Sequence, residues 1–230
     1  MSQSSLFIDI GNSAVKWRTC DSEVFTQGVD LFSLKLLPKA NSVWLSTVAH
    51  PNIVQAIKAQ FSNVKLVETL KQYGRLTLSY DVPSKLGVDR FLAMLGALER
   101  FPNSPLLVID AGSAVTFDVI DAKGIHQGGL IMPGIKALRK SFIKFSTNDL
   151  SLKTSELKNS TKEAWQSGTH VMLVSAINSQ IQNFELQYPD GVVTICGGIV
   201  KEILIELPLA VKFFDNLVLD GLESYSQSMG

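Results

Sequence analysis

Leu106–Asp121 reads LLVIDAGSAVTFDVID, and this stretch decides the fold. Leu106 to Ile109 form a short, branched apolar run bounded by turn formers, the pattern of a buried strand. Asp110 closes that strand, Gly112 and Ser113 supply a tight turn, and Val115 to Val119 resume as a second strand. A carboxylate at a strand end, followed by glycine and a hydroxyl, suits phosphate chemistry. Gly112 opens the backbone amides to close approach, Ser113 adds a donor, and Asp110 can face a cation. Taken alone, D-x-G also occurs in ordinary turns.

The chain carries the pattern twice. Leu6–Thr19 reads LFIDIGNSAVKWRT: an apolar strand, Asp9, Gly11, Asn12, Ser13, then a second strand with Lys16. Both loops share D-x-G followed by S-A-V, and the second lacks only the residue matching Asn12. The two aspartates stand nearly half the chain apart, which points to two related halves rather than a short-period solenoid. One such loop per half could grip a polyphosphate, and a plain turn needs neither the repeated S-A-V nor Lys16 beside it.

Between the loops, residues 43–48 read as a strand, 52–61 as a helix and 64–67 as a strand, a βαβ-like alternation. Residues 21–30 are polar and turn-rich, and 71–85, with Tyr73 and Tyr80, read as a long ordered loop of the kind that lines sites. Val88, Phe91, Leu92, Leu95 and Leu98 predict a helix over 87–101 with Asp89 and Arg90 in its first turn. There Asp89 is either an acid favoured by the helix dipole or a functional carboxylate, and Arg90 could be a solvated surface charge.

Beyond the central hairpin, turned at 121–124, GGLIMPG at Gly128–Gly134 leads into a helix through Ile135, Leu138 and Phe142. Exposed amides at such a corner suit an anion or a nucleotide edge, a plain strand-to-helix corner being the alternative. Residues 146–159 read as a mobile surface segment. Ser160 and Glu163 form a capping box opening a helix to about Tyr188, with Gly168 marking close packing or a bend. Val192–Cys196 is a strand, and Gly197 and Gly198 make a second nucleotide-approach corner before a helix over 199–207. No G-x-G-x-x-G occurs. Residues 211–214 read as a last strand, and 221–230 as a trailing end.

Lysine plus arginine equals aspartate plus glutamate, 21 each, so charge points neither to nucleic acid nor to an acidic membrane. No apolar run approaches the roughly 18 residues of a membrane span. Met1–Ser5 is too polar to open a signal peptide, and a cytoplasmic protein is expected. Cys20 and Cys196, far apart and outside any C-x-x-C, are expected as reduced, buried thiols. His50, His126 and His170 are scattered, so any cation is expected on oxygen ligands.

Taken in order, these motifs resemble those of the type III pantothenate kinases. DIGNSAVK at Asp9–Lys16 is similar to the first phosphate motif, D-x-G-N-T-x-x-K, and DAGSAVTFD at Asp110–Asp118 to the second, D-x-G-T-A-x-T-x-D. Tyr80 with LGVDR, Leu86–Arg90, resembles the pantothenate motif, G-x-D-R intact, and GGLIMPG matches the adenosine-side G-G-x-I-x-P-G. NSTKEAWQSG, Asn159–Gly168, is similar to a segment whose threonine, here Thr161, reaches pantothenate across a dimer interface. Three features depart from the pattern: Ser13 and Ser113 replace threonine, CGGI at Cys196–Ile199 stands where T-G-G-D is common, and Trp165 replaces an aliphatic residue.

The resemblance implies an α/β fold of two similar ribonuclease H-like lobes, the actin and sugar-kinase ATPase architecture, with a cleft between them. The lobes would be residues 1–103 and 104–230. It implies ATP-dependent phosphorylation of pantothenate, the first step toward coenzyme A, by a homodimer. Asp9 would hold Mg²⁺, with Gly11, Asn12, Ser13 and Lys16 on the phosphates and Gly112, Ser113 and Thr116 opposite. Asp110 would bind a monovalent cation, K⁺ or NH₄⁺, and Gly128, Gly129, Gly197 and Gly198 would line the nucleotide. Asp89 would be the catalytic base, with Tyr80, Gly87, Val88, Arg90 and Thr161 holding pantothenate. Competing readings are another small-molecule kinase and a non-catalytic nucleotide-binding accessory protein of the same fold.

Overall fold

The computed structural model describes residues 4–20, 22–151 and 154–228. They form two compact units. One runs to Asn103 and takes in Lys123–Gln127 and the stretch from Asn216; the other comprises Ser104–Ala122 and Gly128–Asp215.

The first unit is built on a sheet of β1 (Ser5–Ile10), β2 (Ala14–Thr19), β3 (Phe25–Gly28), β4 (Ser42–Thr47) and β5 (Val64–Leu66), in the order β3-β2-β1-β4-β5. β1 is antiparallel to β2 and parallel to β4. Strand parity sends Leu6, Ile8 and Ile10 to one face, into a core with Val43, Leu45 and Ile57, the last from α1 (Pro51–Gln60). The opposite face carries Phe7, Asp9, Trp44 and Ser46. It is covered by α2 (Val88–Arg100) and α6 (Leu217–Ser228), Trp44 meeting Tyr225 edge-on at 6.2 Å.

Two expectations change here. The 21–30 stretch contains β3, paired to β2 from Phe25 to Gly28; Asp21 lies outside the described residues. The 71–85 loop contains a small hairpin, β6 (Gln72–Tyr73) and β7 (Leu76–Thr77), turned at Gly74 with φ +53°. The turn at 123–127 joins that hairpin: Thr77 donates its amide to the Gly124 carbonyl at 2.9 Å.

The C-terminal stretch does not trail off. Leu217, Leu219 and Leu222 are fully buried, and α6 crosses α2 where two glycines meet. A methyl on Gly221 would fall on the Leu92 carbonyl, and one on Gly96 on the Leu217 carbonyl. Arg18 reaches Asp220 at 2.9 Å and Glu223 at 2.7 Å, and Arg100 reaches Asp220 at 3.0 Å. Residues 216–228 therefore lie with the first unit, unlike the 104–230 lobe expected from sequence.

The second unit repeats the plan. β8 (Leu106–Ala111), β9 (Ala114–Ile120), β10 (His126–Pro133), β11 (Val192–Cys196) and β12 (Lys212–Phe213) stand in the order β10-β9-β8-β11-β12. Again the first two strands are antiparallel and the fourth runs parallel to the first. Leu107, Ile109, Val115 and Phe117 pack with Leu173, Ile177, Ile181 and Phe184 of α4 (Thr161–Gln187). Ser160 caps α4: its Oγ accepts the Glu163 amide at 3.4 Å and donates to the Glu163 carboxylate at 3.0 Å, in place of the reciprocal backbone bond of a full capping box. Gly168 marks no close packing, since a methyl there would find no atom within 4 Å.

The 146–159 segment, expected to be mobile, is tied down; within it, residues 152–153 lie outside the described residues. Arg139, at the end of α3 (Ile135–Lys140) and 1% exposed, donates to the Asp149 carbonyl at 2.6 Å. Gln166 donates to the same carbonyl at 3.2 Å, and Ser167 Oγ to that of Thr154 at 2.8 Å. Side chains of α3 and α4 thus satisfy backbone groups that a polar segment would otherwise leave to water.

His170 of α4 meets Glu206, in the turn after α5 (Val200–Ile203), at 2.5 Å, and Ser155 Oγ donates to the other carboxylate oxygen at 2.6 Å. Burial pushes the Glu206 carboxyl up, but the Ser155 and His170 hydrogen bonds and the His170 charge outweigh it and hold it below its usual value. A depressed folded value means stability present above about pH 4.3 and lost as pH falls below it. Wild type should melt higher than Glu206→Gln at pH 6, with the difference shrinking toward pH 3. An advantage constant over that range would exclude the linkage. Asp149, also held low by Ser151, should leave an acid slope in both proteins.

Candidate active site

In the first unit, Asp9 ends β1 beside two partners set by register, Lys16 on β2 and Ser46 on β4. Asp9 is 8% exposed, and its Oδ1 accepts the Ser46 hydroxyl at 3.0 Å. The turn closes by Gly11 N–H donating to the Ala14 carbonyl at 3.0 Å, leaving Asn12 and Ser13 exposed. His50 braces the loop, its Nε2 lying 3.1 Å from the Asn12 carbonyl. It does so from a left-handed conformation, φ 58°, uncommon for any residue but glycine.

The second unit repeats this geometry one residue shorter. Asp110 lies beside Thr116 on β9 and Cys196 on β11, and Gly112 N–H donates to the Ala114 carbonyl at 2.9 Å. A methyl on Gly11 would lie 3.5 Å from the Ala14 oxygen, and one on Gly112 3.6 Å from the Ala114 oxygen. Both are ordinary contacts, so the chain's own packing does not demand glycine at either turn.

Two other glycines do answer to packing, and both grip the second loop. Gly134 donates its amide to the Ser113 carbonyl at 3.1 Å, and a methyl there would stand 2.5 Å from the Gly112 oxygen. Gly197, at φ +113°, sits against the Ala111 backbone, whose carbonyl also accepts the Ile199 amide at 3.3 Å. Gly128, at φ +116°, and Gly198 face open space, and Thr161 is exposed at the start of α4.

The start of α2 gathers the other expected residues. Asp89 Oδ1 accepts the Arg90 amide at 2.8 Å and folds back over Gly87, where a methyl would strike it. Arg90 is no solvated charge: it is 6% exposed, and its Nη1 donates to the Tyr80 hydroxyl at 3.3 Å. Val88 is buried. Cys196 is buried as expected, but Cys20 is exposed.

Sequence reasoning missed Ser46 and His50, and it read Gly134 as part of GGLIMPG without its contact to the second loop. Ser46 is a lone serine in an apolar strand, with no local signal. His50 had one, since it precedes Pro51 at a helix start.

Two five-stranded sheets of one strand order, each ending in an acidic D-x-G hairpin, define an ATPase fold of the actin and sugar-kinase class. Solved structures share it: a conserved Campylobacter jejuni protein assigned to the Baf family of transcriptional activators (TM-score 0.64, 21% identity, 97% of this chain and 98% of that one), and ADP-bound MreB5 of Spiroplasma citri (0.52, 11%, 99% and 97%). Residues 5–183 match the family model for type III pantothenate kinase. Proteins of that name from Hahella chejuensis and Alcanivorax borkumensis are 32% and 30% identical, over 94% of both chains for the first and over 95% of this chain and 96% of the relative for the second. The chain belongs to the type III pantothenate kinase family, ATP-using kinases that phosphorylate pantothenate in coenzyme A biosynthesis. Among the described residues no helix is long and apolar enough to cross a membrane.

Proposed function

We propose that this protein transfers the γ-phosphoryl group of ATP to the primary hydroxyl of pantothenate, giving 4'-phosphopantothenate, as a cytoplasmic homodimer. Phosphoryl transfer is chiefly positioning and charge stabilisation, and the residues fit that division. Gly11, Asn12, Ser13 and Lys16 of the first unit contact the ATP phosphates, as do Gly112, Ser113 and Thr116 of the second. Gly128, Gly129, Gly197 and Gly198 line the adenosine. Asp89 orients the acceptor hydroxyl and takes its proton. Tyr80, Gly87, Val88 and Arg90 hold pantothenate, joined by Thr161 from the second protomer.

The carboxylates suit hard, oxygen-loving cations. Asp9, with one oxygen oriented by Ser46, fits Mg²⁺, directly or through water. Asp110, half-buried at its strand end, fits K⁺ or NH₄⁺. When bound, these ions neutralise charge on the triphosphate.

The observation that carries this proposal is the recurrence of one acidic hairpin at the same place in two sheets of one order, together with the intact G-V-D-R opening α2. The test is ADP release from Mg-ATP with and without pantothenate, in K⁺ or NH₄⁺ and in Na⁺ alone. Turnover needing both pantothenate and K⁺ or NH₄⁺ is expected. Turnover indifferent to the monovalent cation removes Asp110 from its role, and ATP binding without pantothenate-dependent turnover overturns the substrate.

A further inference from the structure

His126 bears on the same acceptor side, although no motif includes it. It opens β10 within the 123–127 stretch that belongs to the first unit, and it is 1% exposed. Its Nδ1 lies 3.3 Å from Ser79 Oγ, and its ring stacks on that of Tyr80, centroids 6.0 Å apart and planes 16° from parallel. Tyr80 is in turn engaged by Arg90, through its hydroxyl at 3.3 Å and with the guanidinium carbon 6.0 Å from its ring centroid. Arg90 follows Asp89 directly. A buried imidazole, a half-buried phenol and a buried guanidinium thus form one continuous series ending beside the expected base.

We infer that His126 is a positioning residue for the acceptor. By stacking on Tyr80 while Ser79 fixes its own ring, it holds the phenol where that group and Arg90 meet the substrate together. The inference rests on pantothenate being the acceptor. A free tyrosine ring would sample other rotamers, and each bound acceptor would have to restore the order that His126 otherwise supplies in advance. Loss of that order weakens acceptor binding; it leaves Asp89 and both D-x-G loops in place.

The test is steady-state kinetics of His126→Ala and His126→Phe, varying pantothenate and ATP separately. His126→Ala should raise KM for pantothenate about tenfold, the scale of one lost ring contact. kcat and KM for ATP should stay within about twofold. His126→Phe, which keeps an aromatic face, should recover most of the loss. Should His126→Ala fail to fold, His126→Leu, apolar and without a ring, replaces it with the same expectation. An unmoved KM for pantothenate, or equal rises in both KM values with a lower Tm, would show a purely structural histidine. Absence of pantothenate-dependent turnover in wild type overturns the substrate proposal and this inference with it; turnover with unmoved variants overturns His126 alone.

Discussion

Asp89→Asn is expected to lower kcat about 10²- to 10⁴-fold, the usual contribution of a positioned general base. The substitution isolates chemistry from architecture. Asparagine keeps the shape of aspartate and an oxygen able to accept the Arg90 amide, which Asp89 accepts at 2.8 Å. The start of α2 and the fit over Gly87 are therefore retained, and the group able to take a proton is lost. ATP affinity should hold, because the expected phosphate contacts belong to the hairpins at Gly11 and Gly112. Measured together, kcat, ATP Kd and Tm decide the matter: a large fall in the first with the other two unchanged is the expected pattern. Turnover near wild type would remove Asp89 from catalysis.

Gly221→Ala should produce a large loss of stability for one added methyl. In an exposed helix interior, glycine to alanine gains up to about 1 kcal/mol. Here the methyl would be driven into the Leu92 carbonyl, with the Gly96 nitrogen 3.0 Å away, and backbone on the facing helix cannot rotate aside as a side chain can. Overpacking costs of about 1–3 kcal/mol or more apply, so a net loss near 2 kcal/mol is expected, lowering Tm by about 5 °C. Gly168→Ala is the matching control: it lies in a helix and faces open space, so its sign should reverse. A Gly221→Ala melt at or above wild type would show that the two helices can part at no cost.

How much of this could be read in advance followed from the range of the forces involved. The strands of both D-x-G hairpins were legible because each is specified by a short apolar run, a turn and a second run, all local. The helix over 88–100 was legible by its period. α6 was not: its serines and glycine read as a tail, and its stability depends on Gly96 and on Arg18, both distant in the chain. Arg90 misled for the same reason, since the hydroxyl that receives it stands ten residues upstream in what looked like a loop. His126 was weighed as a metal ligand and set aside, because stacking on a residue of another segment leaves no sequence pattern. Within the candidate site, the proposed residues lie in local motifs, whereas Ser46 and His50, which brace the first loop from β4 and from the start of α1, carry no motif.

The return of α6 to the first unit also sets an order in time. Ribosomes make this helix only after every strand of the second sheet, so α2 emerges with its Gly96 face uncovered. At ordinary rates of synthesis, roughly 5–20 residues per second, that face waits on the order of ten seconds for its mate. The second unit can close on itself first, and the half begun earliest is finished last.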